Sequence, residues 1–268
     1  MRRTIIAGNW KMHKTVSEAV FLIDELKPAA AARPDVDVVV CPPYTALDAA
    51  RRAVEGSAIL LGAQDVFWKA SGAYTSQIAP AMLTDLGVRL AIVGHSETRG
   101  RFGVPEPDFD ADVLRHFGET DATVNRKIRA AIVAGLTPIC CVGETLAERQ
   151  AGATDSVVAS QVEGALKEIP AAQVAGLVFA YEPVWAIGTG EVCEAAEANR
   201  VCGVIRSTVG AMYGPDVAEA VRVQYGGSVK PDNAADLLGR EHIDGALVGG
   251  AALKAADFAA IIAASPTG

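Results

Sequence analysis

The sequence predicts an α/β fold, a (β/α)8 barrel that forms one domain over residues 1–268 and carries an insertion after its fourth strand. Three observations predict it. About eight short apolar runs alternate with helix-like segments, the alternation that builds a parallel sheet covered by helices. Reactive polar residues follow several of these runs, and in a barrel such positions share one mouth. The first run is not followed by the G-x-G-x-x-G turn of an open dinucleotide-binding sheet.

Taken in order, strands are expected at residues 4–7, 36–41, 59–63, 90–93, 137–142, 177–181, 221–224 and 246–248. Each is a short apolar run, often β-branched, as strands covered on both faces are. Segments 17–27, 122–134, 155–167 and 195–209 place apolar residues at three- and four-residue intervals, which suits amphipathic helices over the strands. The segment 104–117, VPEPDFDADVLRHF, breaks the rhythm. Two prolines open it, and Phe109, Val113, Leu114 and Phe117 follow at helical spacing. A turn and a short amphipathic helix packed on the barrel rim are expected there.

Half of the 268 residues are hydrophobic, enough to bury a large core. A formal charge of −8 argues against a nucleic-acid partner, because no basic stripe exists to displace counterions. An anion can still be held locally by backbone N–H groups, helix N-termini or one placed lysine. The five cysteines lack metal-ligand spacing, and reduced thiols in a cytoplasmic protein fit them. The apolar run at 5–7 is too short for a secretory signal and no stretch reaches transmembrane length, so neither export nor a membrane anchor is expected.

Glu182 closes the sixth apolar stretch of the barrel, LVFAY, and precedes PVWAIGTG at 183–190. A carboxylate at a strand end, beside a loop that is stiff at its start and glycine-rich at its end, suits a base under a water-excluding lid. Burial there would raise its proton affinity towards a working base. Read locally, a structural carboxylate capping a helix fits as well. His95 follows the run 91–94 and precedes Ser96, Glu97 and Thr98. A helix starting at this point would keep the imidazole neutral, able to donate a hydrogen bond to a substrate oxygen. Thr98 spoils the G-x-S-x-G hydrolase pattern, so Ser96 is no nucleophile candidate. His13, His116 and His242 read as surface or packing residues.

Lys11 leaves the first strand two residues after Asn9, and on extended chain both would face one ligand, with Glu97 a counter-ion for the ammonium. Two glycine pairs complete the mouth: Gly226-Gly227 before Ser228, and Gly249-Gly250 before a helix-like stretch. Loops after the seventh and eighth strands of a barrel are a recurrent phosphate site, because glycine lets backbone approach the anion.

These blocks closely resemble the triosephosphate isomerase family: AGNWKMH at 7–13, GHSET at 94–98, CVGET at 141–145, AYEPVWAIGTG at 180–190, YGGSVKP at 225–231 and LVGGAAL at 247–253. The resemblance implies a TIM barrel and an isomerase of dihydroxyacetone phosphate and D-glyceraldehyde 3-phosphate in glycolysis and gluconeogenesis. This family is itself a standard case of a Glu base with a neutral His electrophile. It implies Glu182 as the base, His95 and Lys11 as stabilisers of an ene-diolate, and Asn9 as an orienting residue. Gly188, Ser228, Gly249 and Gly250 match the phosphate-binding positions, Glu97 pairs with Lys11, and Ser96 supports the site. No cofactor or metal is implied.

The resemblance also implies a homodimer whose loop at about 64–78, with Thr75 at its tip, enters the partner near the Lys11 and His95 region. Two positions depart from the family's usual residues: Gln77 stands in place of Glu and Thr98 in place of Arg. Both members of an inter-subunit ion pair are thus neutral, which leaves no orphaned charge. An isomerase of a four-carbon ketose phosphate would need the same groups. A Schiff-base aldolase using Lys11 lacks an evident apolar pocket around the amine, and a silent phosphometabolite-binding barrel would have lost the base or electrophile.

Overall fold

The computed structural model describes residues 2–104 and 106–267. Among these residues, eight parallel strands close into a barrel in chain order. They are β1 (Ile5–Asn9), β2 (Asp37–Cys41), β3 (Ile59–Ala63), β4 (Leu90–Val93), β5 (Thr137–Val142), β6 (Val178–Tyr181), β7 (Arg222–Tyr225) and β8 (Gly245–Val248). The seam is a parallel pairing of β1 with β8, Ile5 opposite Gly245 and Gly8 opposite Val248. No helix among the described residues is long and apolar enough to cross a membrane.

Alternation along the strands sorts the core into two parts. Ile5, Ala7, Val39, Ile92, Ile139 and Val178 pack with one another inside the barrel. Their neighbours Ile6, Val38, Ala91, Cys140, Phe179 and Val223 face outward into the larger core formed with the helices. The continuous apolar strands of the sequence follow from this two-sided burial. Gly245 marks the tightest point of the seam: its φ is +159°, and a Cβ there would lie 1.8 Å from Ile5 O.

The expected strands form within one or two residues of their predicted places, and β1 differs most, running on to Asn9. Asn9 is therefore the last residue of a strand, not part of the loop. The first helix, Val16–Ala32, passes through Pro28 instead of ending before it. Proline deletes one N–H donor there, and the alanines that follow sustain the helix, with Ala30 buried. The other three helices begin and end close to expectation, at Asp121–Val133, Thr154–Leu166 and Ala195–Tyr213.

Between β4 and the helix Asp121–Val133 lies the extra segment. It holds a short helix, Ala111–Leu114, capped by Asp110, whose carboxylate accepts the N–H groups of Asp112 and Val113, and a 3-10 turn at Arg115–Phe117. The expected apolar stripe forms only in part. Phe109 and Phe117 pack on Phe102 with ring centroids 5.3 to 5.5 Å apart, whereas Val113 and Leu114 are exposed. Four residues of helix are too few to point one face consistently inward, so the aromatic rings alone carry the packing.

Candidate active site

The C-terminal ends of the strands converge on a cavity of about 390 Å³. Asn9, Lys11, His95 and Glu182 line it together with Gly188, Ser228, Gly249 and Gly250. Ser96 and Glu97 stand behind this lining. The exposed His13 and Lys230 also border the cavity, although the sequence marks neither as part of a site.

Asn9 and Lys11 meet the cavity by a turn, not by the extended chain expected. Lys11 has φ +52°, in the left-handed region. Its N–H donates to Asn9 Oδ1 at 3.1 Å. Gln64, just beyond β3, donates its amide to Lys11 O at 2.8 Å and to Cys41 O at 3.0 Å. A non-glycine residue in this region persists only where its surroundings over-determine it, and these three hydrogen bonds do so. The Lys11 ammonium then reaches Glu97 Oε1 at 2.5 Å, as expected.

No helix starts at His95. The chain after β4 makes a turn in which Arg99 N–H donates to His95 O at 3.1 Å and Arg101 N–H to Ser96 O at 2.9 Å. In place of a helix dipole, one backbone group sets the imidazole: Glu97 N–H donates to His95 Nδ1 at 3.2 Å. The neutral ring therefore holds its proton on Nε2, the nitrogen 2.8 Å from Glu182 Oε1.

Glu182 is 2% exposed. Its Oε2 accepts the Ser96 N–H at 2.8 Å, while Oε1 finds no aligned hydrogen bond. Burial pushes its pKa up, but His95, the Ser96 N–H and Lys11 together pull it down, and the net shift is downward. The raised proton affinity expected from burial is thus reversed in this arrangement, because the carboxylate rests on donors. For His95, burial disfavours charge, Glu182 and Glu97 favour it, and the net shift is upward. Both shifts belong to the contact between the two side chains and end when it is broken.

Glycines make room for this geometry. A Cβ on Gly226 would sit 3.1 Å from Glu182 Cγ, and one on Gly143 would sit 1.7 Å from Glu182 O. Gly250 faces open space at the start of the 3-10 turn Gly250–Leu253. Asn233 pins the β7 loop, donating to Ser228 O at 3.0 Å and accepting the Lys230 N–H at 2.8 Å. A cradle of this kind presents N–H groups and space to an anion.

The loop after Glu182 starts in a 3-10 turn, Val184–Ala186, and reverses at Gly188 (φ +73°) and Gly190 (φ +85°). Trp185 is buried, its indole donating to Glu144 Oε1 at 2.8 Å under the Arg149 guanidinium, 4.2 Å from the ring centroid. Tyr181 OH donates to the same Glu144 oxygen at 3.1 Å. Glu144, within the block CVGET, carries this anchoring role, which nothing local in the sequence signals.

All five cysteines are buried and free, and burial pushes Cys41 and Cys140 up to about 12. Among the described residues no group of three His, Cys, Asp or Glu side chains could hold a metal ion.

A family model described as Triosephosphate isomerase matches residues 4–265. The chain is 54% identical to a triosephosphate isomerase of Moorella thermoacetica over 263 residues, covering 98% of each. It is 51% identical to one from Clostridium botulinum and 49% identical to one from Thermoanaerobacter, in both cases covering 98% of this chain and 99% of the relative.

Proposed function

The chain belongs to the triosephosphate isomerase family, and from that premise we propose that Glu182, His95 and Lys11 carry its interconversion of dihydroxyacetone phosphate and D-glyceraldehyde 3-phosphate. One observation supports the assignment above others: a carboxylate, an imidazole and an ammonium share one cavity with two glycine turns. Gly188, Ser228, Gly249 and Gly250 receive the phosphate, and Asn9 orients the carbon chain. Glu182 removes a proton from the carbon that bears the hydroxyl. The C–H electron pair becomes a C=C bond, and the carbonyl oxygen takes up the negative charge. His95 Nε2–H and the Lys11 ammonium stabilise that charge as it develops. The hydroxyl proton of the first carbon passes to the oxygen of the second, Glu182 returns the abstracted proton to the second carbon, and the first carbon's oxygen becomes the new carbonyl, which completes the isomerisation within the substrate.

For this chemistry Glu182 leaves the Ser96 N–H. That movement removes both the donors that depress its pKa and the carboxylate that raises the pKa of His95, so each group acquires the protonation its task needs. Residues 183–190 act as a lid that excludes water. We further propose one domain over residues 1–268, a cytoplasmic location and a homodimer. Exposure of residues 71–77 at the tip of the β3 loop, and of Met12 beside Lys11 at 95%, supports the dimer. Replacing the base tests the assignment: Glu182→Gln should lower kcat by on the order of 10² to 10⁴ while circular dichroism stays unchanged. Turnover close to that of the parent enzyme would reject it.

A further inference from the structure

We infer that Gly103 and Val104, at the root of the extra segment, are positioning residues for the isomerisation: they form a brace on which the lid rests while Glu182 is held on the Ser96 N–H, and so set how readily the lid leaves that position. The inference rests on the reading of residues 183–190 as a lid and adds what governs its resting position.

Gly103 lies under the first half of the lid. A Cβ there would sit 2.4 Å from both Val184 O and Ile187 O, two backbone oxygens that cannot rotate aside. Gly103 does not have the positive φ that would itself select glycine. Space alone therefore demands glycine here, and the space is occupied by the lid. Beside it, Val104 Cγ2 lies 3.8 Å from where Gly188 would carry a Cβ. Val104 is otherwise about half exposed, so it touches the lid at the position proposed to bind phosphate.

The brace is fixed on its other side. Arg101 donates to Gly143 O at 3.0 Å and to both Glu148 oxygens at 3.1 and 2.9 Å. Phe102 is gripped edge-on by Phe109 and Phe117. The two phenylalanines contributed by the extra segment thus immobilise the residue next to Gly103. A surface anchored to the barrel and fitted to the lid in this arrangement, with Glu182 on the Ser96 N–H, favours it over one in which Glu182 has moved to the substrate, and a ligand that needs the second arrangement binds more weakly in proportion to how few molecules populate it.

The test compares wild type, Gly103→Ala and a variant lacking residues 104–118, which joins Gly103 to Glu119. Phosphoglycolate, a carboxylate mimic of the ene-diolate, is titrated while the fluorescence of Trp185 reports the lid. The full-length enzyme is also assayed for kcat and KM with the triose phosphates. Gly103→Ala should expel the lid from its resting place and tighten phosphoglycolate by about threefold or more, with kcat and KM both lowered as product release slows. The deletion should shift affinity the same way and keeps the test decisive if Gly103→Ala does not fold. Affinities and Trp185 responses equal to wild type in the folded variants would overturn the brace and leave the catalytic assignment standing. Failure of wild type itself to turn over triose phosphates would instead remove the assignment beneath it.

Discussion

The backbone N–H of Glu97 donates to His95 Nδ1 at 3.2 Å, and on the far side of the same ring Nε2 lies 2.8 Å from Glu182 Oε1. One contact fixes the tautomer and the other couples two titrations. Burial pushes the Glu182 pKa up and that of His95 down, and against it His95 lowers the pKa of Glu182 while Glu182 raises that of His95. A group raised in the folded state contributes stability below its unfolded pKa and loses it as pH rises. A depressed carboxylate contributes stability above its unfolded pKa and loses it as pH falls. The pair is therefore most stabilising between the ordinary carboxylate and imidazole values, about pH 4.3 to 6.5.

In Glu182→Gln the larger cause of the upward shift at His95 disappears, while burial, Lys11 and the smaller upward pull of Glu97 remain. Titration of the ring nitrogens by NMR should show His95 above an ordinary imidazole in wild type and clearly lower in the variant, with the Nε2–H tautomer in both neutral forms. Identical titrations in the two proteins would mean that the contact does not control the ring.

Lys11 depends on Gln64 to hold a left-handed backbone. Gln64→Leu leaves Lys11 O without this donor, whereas Cys41 O keeps the Trp10 N–H at 3.2 Å, and an unsatisfied buried carbonyl costs about 1 to 3 kcal/mol. The ammonium should then wander, so kcat/KM should fall by about tenfold, a loss of about 1.4 kcal/mol in transition-state stabilisation. Lys11→Met, which removes the charge itself, should cost about 10² or more. Steady-state kinetics checks both, and a Gln64→Leu enzyme with wild-type kcat/KM would show that the turn holds without it.

Much of this arrangement is legible in the sequence because strand ends carry it. Asn9, His95, Glu182 and Ser228 each follow an apolar run, and closing the barrel is enough to bring them together. What the sequence conceals is set by turns and by distant partners. The left-handed conformation of Lys11 depends on Gln64, which is 53 residues away. The tautomer of His95 depends on a backbone N–H in a turn, where a helix is expected. The depressed pKa of Glu182 arises because its carboxylate lies against His95 and rests on the Ser96 N–H, a placement no local pattern encodes. Lys127 is the clearest case: on an amphipathic helix it reads as a solvated lysine, yet it is 6% exposed.

The Thr98 hydroxyl lies 2.5 Å from Glu119 Oε2 and 2.8 Å from His95 O. Glu119 also contacts the Lys127 ammonium at 2.6 Å. The carboxylate near Thr98 therefore has partners within its own subunit, and losing an ion pair at both ends leaves nothing stranded. Sedimentation over a dilution series should show a dimer at assay concentrations. Fully active monomers there would contradict it.

Ile92 is fully buried inside the barrel, where the ring of strands leaves its neighbours little freedom to collapse into a void. Ile92→Ala should lower unfolding free energy by about 2 to 5 kcal/mol in urea titrations at fixed protein concentration. A loss below about 1 kcal/mol would mean that the interior repacks more easily than a closed barrel should allow.

Lys127 bridges two carboxylates, with its ammonium 2.7 and 2.8 Å from the Asp65 oxygens and 2.6 Å from Glu119 Oε1. Burial, opposed by Lys127 and helped by Glu119, leaves Asp65 raised to about 6. Lys127→Met removes the cation and leaves two carboxylates facing each other. Removing one partner of a buried pair typically costs 3 to 5 kcal/mol, and because the Asp65 side chain is 27% exposed the lower end, about 3 kcal/mol, is expected at pH 7. A carboxyl whose folded pKa lies above its unfolded value gains stability as pH falls between the two, since the folded state binds the proton more tightly. Without Lys127 that upward displacement grows, so the deficit of the variant should shrink on going from pH 7 to pH 5. Lys127→Met combined with Asp65→Asn should recover part of the loss at pH 7. Urea titrations at both pH values check this, and a deficit that widens on acidification would show that the ammonium does not balance these carboxylates.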